Sequence, residues 1–530
     1  MPENYRYLRT RLQYEHLRFE DWCEAAGFDD AGYQKAKDLP ASFDPSGFTN
    51  AGETEVSDLQ VLEKLRNISS RDNEDAKHSG NNSGEEFEKF LGRFKELNEN
   101  LYQLLNGEQS RHLLDLTRKT QLDMVLVLKS VEELKHLQLA AVLQPDRAPD
   151  PSSYSRSDQI LASLANFKQL NTASVLSPEA QQGKADNVRR DTLLVRSRIT
   201  LSDEDDGSDS LVTFDGRTAG ILDEKRPGHR NIWVEWRDYI PHHNNEGNEL
   251  VAPETSVKRV QDLVTLLKLN KLDEFCAPVC HGYFDDNDNP VHDNRTFRFG
   301  LVFESTSTLQ SPKVPETLRS MFGRSPSSLN ARVRLAQRLC TCVLYLHAVN
   351  WLHKGINSRN IVFADPQDPS EPCVSGFELA RPDTDQDKTQ PGRHYVADLT
   401  DDIYCHPLYQ GVEKKTHYQK TFDVYSLGLV LLEVALWRPI ESIMGLEGGL
   451  LDRKSAASLR NRLMREDSEH MGELRARMGD GYQRAVSVCI VGRTALDIEE
   501  DADETDVLVA ARLQRALMER VVDVIGVIRI

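Results

Sequence analysis

The sequence predicts an α+β protein in two parts: an all-helical N-terminal third, then a longer region that opens with strands. Three observations carry this. Up to about residue 175 apolar residues recur at helical spacing and no strand-type alternation appears. Residues 231–237, Asn-Ile-Trp-Val-Glu-Trp-Arg, alternate apolar and polar as a half-buried strand does. Between the two parts lies an acidic, Ser- and Gly-containing stretch, 202–210, that reads as a solvated tether.

In chain order, residues 5–26 place Leu8, Leu12, Phe19, Trp22 and Ala26 on one face, with Gly27 as a stop signal. Residues 59–68 form a short second candidate helix. Residues 85–105 set Phe87, Phe90, Leu91, Phe94, Leu97, Leu101 and Leu104 at helical spacing. Residues 111–142 are longer, with Leu114, Val125, Leu128, Val131 and Leu139 as apolar positions, and 158–170 close the set. Such faces must bury against one another, which predicts a bundle. Residues 29–55 and 69–84 read as long loops, and Pro145, Pro149 and Pro151 break any helix over 144–155.

The chain of 530 residues carries a net charge of −19, which argues against nucleic acid and against an anionic membrane surface as partners. Its eight cysteines form no CxxC pair, and read as the reduced thiols of a cytoplasmic protein. Cys276 and Cys280 are expected to be buried thiols and not metal ligands. His242-His243 is expected to be a surface pair, and Trp236 and Trp437 packing residues. No run of 18 apolar residues is present to span a bilayer.

Residues 351–363, Trp-Leu-His-Lys-Gly-Ile-Asn-Ser-Arg-Asn-Ile-Val-Phe, carry the most specific pattern. They resemble the catalytic loop of protein kinases, which reads His-Arg-Asp, four residues, Asn, then an apolar strand. His353 and Asn360 keep the two ends of that frame, and Gly355 stands at the catalytic Asp. Residues 374–381, Val-Ser-Gly-Phe-Glu-Leu-Ala-Arg, resemble the Asp-Phe-Gly-Leu-Ala-Arg segment, with Phe377 on the Phe and Gly376 in place of the metal-binding Asp. Residues 423–428, Asp-Val-Tyr-Ser-Leu-Gly, resemble the start of the central helix of the large lobe. Asp423 is therefore expected to hold the loop around His353, with Gly428 in the same frame. His406-Pro407-Leu408-Tyr409 is similar to the end of an activation segment, and residues 383–400 match its unanchored part.

The resemblance completes the expected fold class: α+β, an N-terminal all-α helical bundle plus a bilobal protein-kinase-like domain. The boundaries it suggests are 1–175 for the bundle, 176–210 for the linker, 211–305 for the small lobe and hinge, and 306–530 for the large lobe. The 231–237 strand is similar to that bearing Val-Ala-Ile-Lys, with Arg237 at the Lys position. Arg there keeps charge but not shape. The helix expected over 256–269 offers Asp262 and no Glu for the usual ion pair. Gly216, Gly220 and Gly228 lack the spacing of a phosphate-cradling loop. Residues 298–305 resemble the strand entering the interlobe hinge, which makes Phe303, Glu304 and Ser305 candidates to meet an adenine ring, with Arg237 and Asn360 toward the phosphates.

The implied catalytic residues are none. A positioned base alone is worth about 10²–10⁴ in rate, and the lost metal Asp removes much of the remaining electrostatic catalysis. Asn360 alone is a weak metal candidate, and no resident metal is expected. Glu378, Asp385, Asp387 and Asp401 are nearby carboxylates that could substitute. His353 is expected to pack and not to act as a base. ATP is a candidate ligand, and no cofactor is certain.

Residues 6–27 resemble the opening helix of the fungal HeLo (prion-inhibition and propagation) domain, a likeness extending over residues 4–175. Such domains occur in regulators of self-recognition cell death, often ahead of a degenerate kinase-like domain. In that family an apolar segment precedes this helix; here the chain begins almost at the helix, so membrane permeabilisation is not expected. The reading that follows is a catalytically inactive pseudokinase coupled to a helical bundle. It would act as a switch of the heterokaryon-incompatibility type, with protein partners on both parts and a homo-oligomer as an option. An atypical ATP-dependent Ser/Thr kinase and an oligomerising scaffold are the alternatives.

Overall fold

The computed structural model describes residues 14–22, 91–98, 105, 107–128, 133–135, 137–138, 156–176, 192–202, 216–223, 228–243, 250–269, 271–286, 297–305, 312–377, 380–383, 403–410, 417–446 and 453–529. The expectations for 5–13, 29–55, 59–68, 69–84, 144–155 and 203–210, and the carboxylates Glu378, Asp385, Asp387 and Asp401, lie outside these. The chain divides into two compact units, Met1–Gln169 and Leu170–Ile530.

The described residues of the first unit are helical except Leu105 and Leu128. Residues 14–22 and 91–98 are helical, followed by α1 (Gly107–Val127) and α2 (Arg156–Leu176), whose first part belongs to this unit. The apolar faces meet as the periodicity predicts: Phe19 lies 5.9 Å from Phe94, and Leu113, Leu122, Val125, Leu161 and Leu164 are buried. Leu114 is the exception, 58% exposed, because Leu113 takes the inward position beside it. Polar groups are matched inside this core. Asn98 donates to the Glu15 carbonyl and carboxylate (3.0 and 2.8 Å), and buried Lys168 donates to the carbonyls of Val125 and Leu126 at the end of α1. A cation at a helix C-terminus answers both the bare carbonyls and the dipole.

The second unit opens with a five-stranded antiparallel sheet. Its strands are β1 (Ile199–Leu201), β2 (Arg217–Asp223), β3 (His229–Asp238), β4 (Cys280–Asp285) and β5 (Arg298–Glu304), in the order β1-β2-β3-β5-β4. Helix α3 (Glu254–Lys268) lies between β3 and β4 in the chain and buries Val260, Leu263, Val264, Leu266 and Leu267. One face of the sheet packs Ile199, Leu201, Leu222, Ile232, Val234, Phe284 and Val302 into a core.

The segment ahead of β1 corrects the linker boundary. Residues 192–202, expected within the 176–210 linker, join the sheet through Thr192, Leu194 and β1. Leu194 N donates to the Tyr283 carbonyl on β4 and Tyr283 N to the Thr192 carbonyl. After the turn Arg196–Arg198 the same segment becomes β1 on β2, at the opposite rim. The alternation Ile199-Thr200-Leu201 is only three residues long, too short to stand out beside the acidic tract that follows. His242-His243 form an exposed two-residue pairing with Leu250-Val251. Trp236 packs against the sheet core and Trp437 against Phe322.

The rest of the unit is mainly helical: α4 (Leu329–Ala348), α5 (Lys420–Leu436), α6 (Arg453–Leu463), α7 (Glu469–Val491, interrupted at Gly479) and α8 (Val507–Leu517). All 17 residues of α5 are buried, which explains its near-continuous apolar run. Gly428 allows its closest approach: a Cβ there would stand 2.7 Å from the Cys489 Cβ on α7. Between α4 and α5 run the short strands β6 (Trp351–Leu352), β7 (Ile361–Phe363), β8 (Pro372–Val374) and β9 (Arg381–Pro382). β7 pairs with β8, and β6 with β9.

Candidate functional site

The loop between β6 and β7 is held from below by Asp423, in the first turn of α5. Its Oδ2 accepts from His353 N (2.9 Å), its Oδ1 from Lys354 N (2.8 Å) and from the Tyr418 hydroxyl (2.7 Å). Burial alone would raise this carboxyl, but hydrogen bonds from His347 and Tyr418 hold it below its usual range. His353 is fully buried, and burial lowers it to about 4. Its Nδ1 accepts from Gly355 N (3.2 Å), which assigns the proton of the neutral ring to Nε2. Phe377 packs on it with ring centres 4.8 Å apart. His353 thus occupies a packing position, with no face toward a substrate.

Asn360 ends the loop with both sides of its amide engaged. Nδ2 donates to the Gly355 carbonyl (2.8 Å), and Oδ1 accepts from Arg217 on β2 (2.9 Å). Gly376, with φ of +79°, lies directly against that amide: a Cβ built on it would fall 2.3 Å from Asn360 Cγ. A Cβ at Gly355 would stand 3.1 Å from the Gly376 carbonyl. The two glycines therefore close on the space that acids would need.

Arg217 joins the sheet to this loop and is 2% exposed. Its guanidinium donates to Glu235 on β3 (3.0 Å), to the Arg359 carbonyl (3.1 Å), to Asn360 Oδ1 and to Ser375 Oγ (2.7 Å). Glu235, opposite it in the β2–β3 register, also accepts from Gly376 N at 3.1 and 3.2 Å. A planar fork with five donors suits such a set as an ammonium cannot. Trp233, two residues before Glu235 on the same face, stacks on Phe303 at 4.6 Å and donates its indole N–H to the Glu304 carbonyl (3.2 Å). The Arg217 guanidinium lies 5.9 Å from the Trp233 ring centre.

The backbone N–H groups of Glu304 and Ser305, expected to meet an adenine ring, are engaged internally. Glu304 N donates to the Val279 carbonyl and Ser305 N to the Asn231 carbonyl. The β3 side chain that reaches the Ser375–Gly376 turn is Glu235, whereas Arg237 lies two residues further along the strand, opposite Phe299. Residues 233, 235 and 237 share one face of β3, and pattern alone does not rank them. Alternation could have flagged Glu235 and Trp233. Nothing in the sequence around Arg217 points at Asn360, 143 residues away.

Nearby, Asp383 is anchored, against the expectation that its segment is free from the start: buried Lys420 binds it at 2.6 Å. His406 stacks on Phe422 at 4.5 Å and accepts from Leu408 N. Cys276 and Cys280 are buried free thiols, and burial pushes Cys280 up to about 12. Among the described residues no group of three or more His, Cys, Asp or Glu is arranged to hold a metal, and no helix is long and apolar enough to cross a membrane.

With this geometry in view, two comparisons bear on the class. A family described as a domain of unknown function (DUF7580) matches residues 275–525. The chain is also similar to a probable serine/threonine-protein kinase, kinY, of Dictyostelium discoideum. Identity there is 25% over 162 residues, 31% of this chain and 27% of that protein. Together they support a kinase-like region in this chain. The family match starts at Phe275, so Arg217, Trp233 and Glu235 lie ahead of it.

Proposed function

We propose that residues 192–530 form a bilobal kinase-like domain that transfers no phosphate. In this reading it works with a HeLo-type helical bundle as a cytoplasmic interaction switch of the fungal self-recognition kind. Its partners are proteins, docked on the bundle and on the kinase-like region. Support comes from the strand order with α3 between β3 and β4, from the loop frame of His353 and Asn360, and from the Asp423 clamp beneath it. The observation that carries the inactivity is the pair Gly355 and Gly376, the second closed to any side chain by the Asn360 amide. Loss of the base and of the metal carboxylate removes the largest contributions to phosphoryl transfer.

The test is transfer of labelled γ-phosphate from ATP by the full chain, to itself and to generic protein substrates. No signal above an enzyme-free blank is expected. Transfer that Asn360→Ala abolishes, in a variant with wild-type circular dichroism, would overturn the reading.

A further inference from the structure

We infer that the cleft holds an internal ligand: the Trp233 indole fills the place of a nucleotide base and the Arg217 guanidinium that of its metal ion. The inference rests on the kinase-like reading above, since that frame defines where a base and a metal would sit. Within it, the hinge strand β5 presents the Glu304 carbonyl to an incoming heterocycle, and the Trp233 N–H already occupies that carbonyl. The ring lies against Phe303, which is itself fully buried, so a second planar ring has no free face of Phe303 to meet there. Asn360 Oδ1 and the Ser375–Gly376 turn would face the cation and phosphates. Arg217 donates to Asn360 Oδ1 and to Ser375 Oγ, while Glu235 balances its charge and takes Gly376 N.

The arrangement also accounts for an acid, Glu235, at the β3 position that reaches the Ser375–Gly376 turn. A kinase cleft loaded with a polyphosphate needs a cation on that strand. A cleft loaded with a guanidinium needs an anion, and Glu235 is that anion. Base, cation and counter-charge come from two adjacent strands, so the sheet is fixed to the loop without a diffusible ligand. A nucleotide would have to strip the four bonds of a guanidinium that is 2% exposed and displace an indole that is 3% exposed.

The test uses the full chain and thermal unfolding. ATP at about 1 mM, with or without Mg²⁺, would raise Tm by several degrees if it bound with a Kd of about 10 µM. The expected shift is none. Trp233→Gly should open a ring-sized slot, so that indole or adenine raises the Tm of this variant but not of the wild type. Trp233→Phe keeps the plug without the N–H and should stay blind to ATP. A wild-type shift with ATP overturns the inference, as does a folded Trp233→Gly that ignores both indole and adenine. A wild type that binds ATP yet transfers no phosphate would refute this inference alone; measured transfer would refute the proposed function.

Discussion

Two carboxylates on α5, ten residues apart, are equally buried and titrate in opposite directions. Asp423 at the first turn is 1% exposed and Glu433 in the last turns is 0% exposed. On Asp423 each oxygen accepts: Oδ1 from Lys354 N and Tyr418, Oδ2 from His353 N, with His347 Nε2 3.4 Å away. On Glu433 the donors crowd one oxygen. Oε1 takes the Tyr404 hydroxyl (2.6 Å), Ile440 N (2.8 Å) and Ser358 (3.3 Å), while Oε2 meets no hydrogen-bond partner. Burial pushes Glu433 up to about 8, whereas Asp423 is held down. Burial alone does not set the charge state; the distribution of donors over both oxygens does.

The largest effect should come from breaking the charged member. Asp423→Ala leaves two loop amides and a hydroxyl without their acceptor, and urea unfolding should show a loss of about 3–5 kcal/mol. A loss under 1 kcal/mol would mean the loop stands without the clamp.

Glu433 offers the converse. Its folded value of about 8 lies above its ordinary 4.5. The stability it allows is therefore complete below about pH 4.5 and drains away as pH rises to about 8. Glu433→Gln cannot ionise, so its stability relative to wild type should climb by about 1.4 kcal/mol per pH unit through that window and level off above it. A flat difference would place Glu433 in the ionised state.

His353 sharpens the same contrast from the acid side. Its folded value of about 4 lies below its ordinary 6.5, so the stability it contributes is whole above about pH 6.5 and is lost as pH falls toward 4. The ramp should amount to about 3 kcal/mol and should flatten in His353→Asn. The smallest effect is expected of Tyr404→Phe. It removes one of three donors from Glu433 Oε1, costs about 1 kcal/mol near neutral pH, and moves the Glu433 titration further up. A downward move would contradict the account of donor crowding.

These contrasts also mark what a sequence can carry. Asp423, His353, Phe377 and Asn360 were legible because a fixed spacing of loop and helix encodes them. The helical periodicity of the first unit was legible because each face is local. Arg217 and Trp233 were not, because their partners lie in segments far along the chain and only the closed register of β2 on β3 aligns them. Glu235 was hidden because it shares one face of β3 with Trp233 and Arg237, and alternation does not rank the three. The three residues of β1 were masked by composition: an acidic tract drew the boundary past a strand that tertiary pairing alone defines.

That early segment carries one more consequence. Residues 192–194 bond to β4, the strand at one rim of the sheet, and residues 199–201 form β1, the strand at the other. At β4 the amide and carbonyl of Tyr283 are already taken, one way in which proteins discourage templated growth at a strand edge. If the protein self-assembles, strand addition at β4 would first have to peel its own leading segment away.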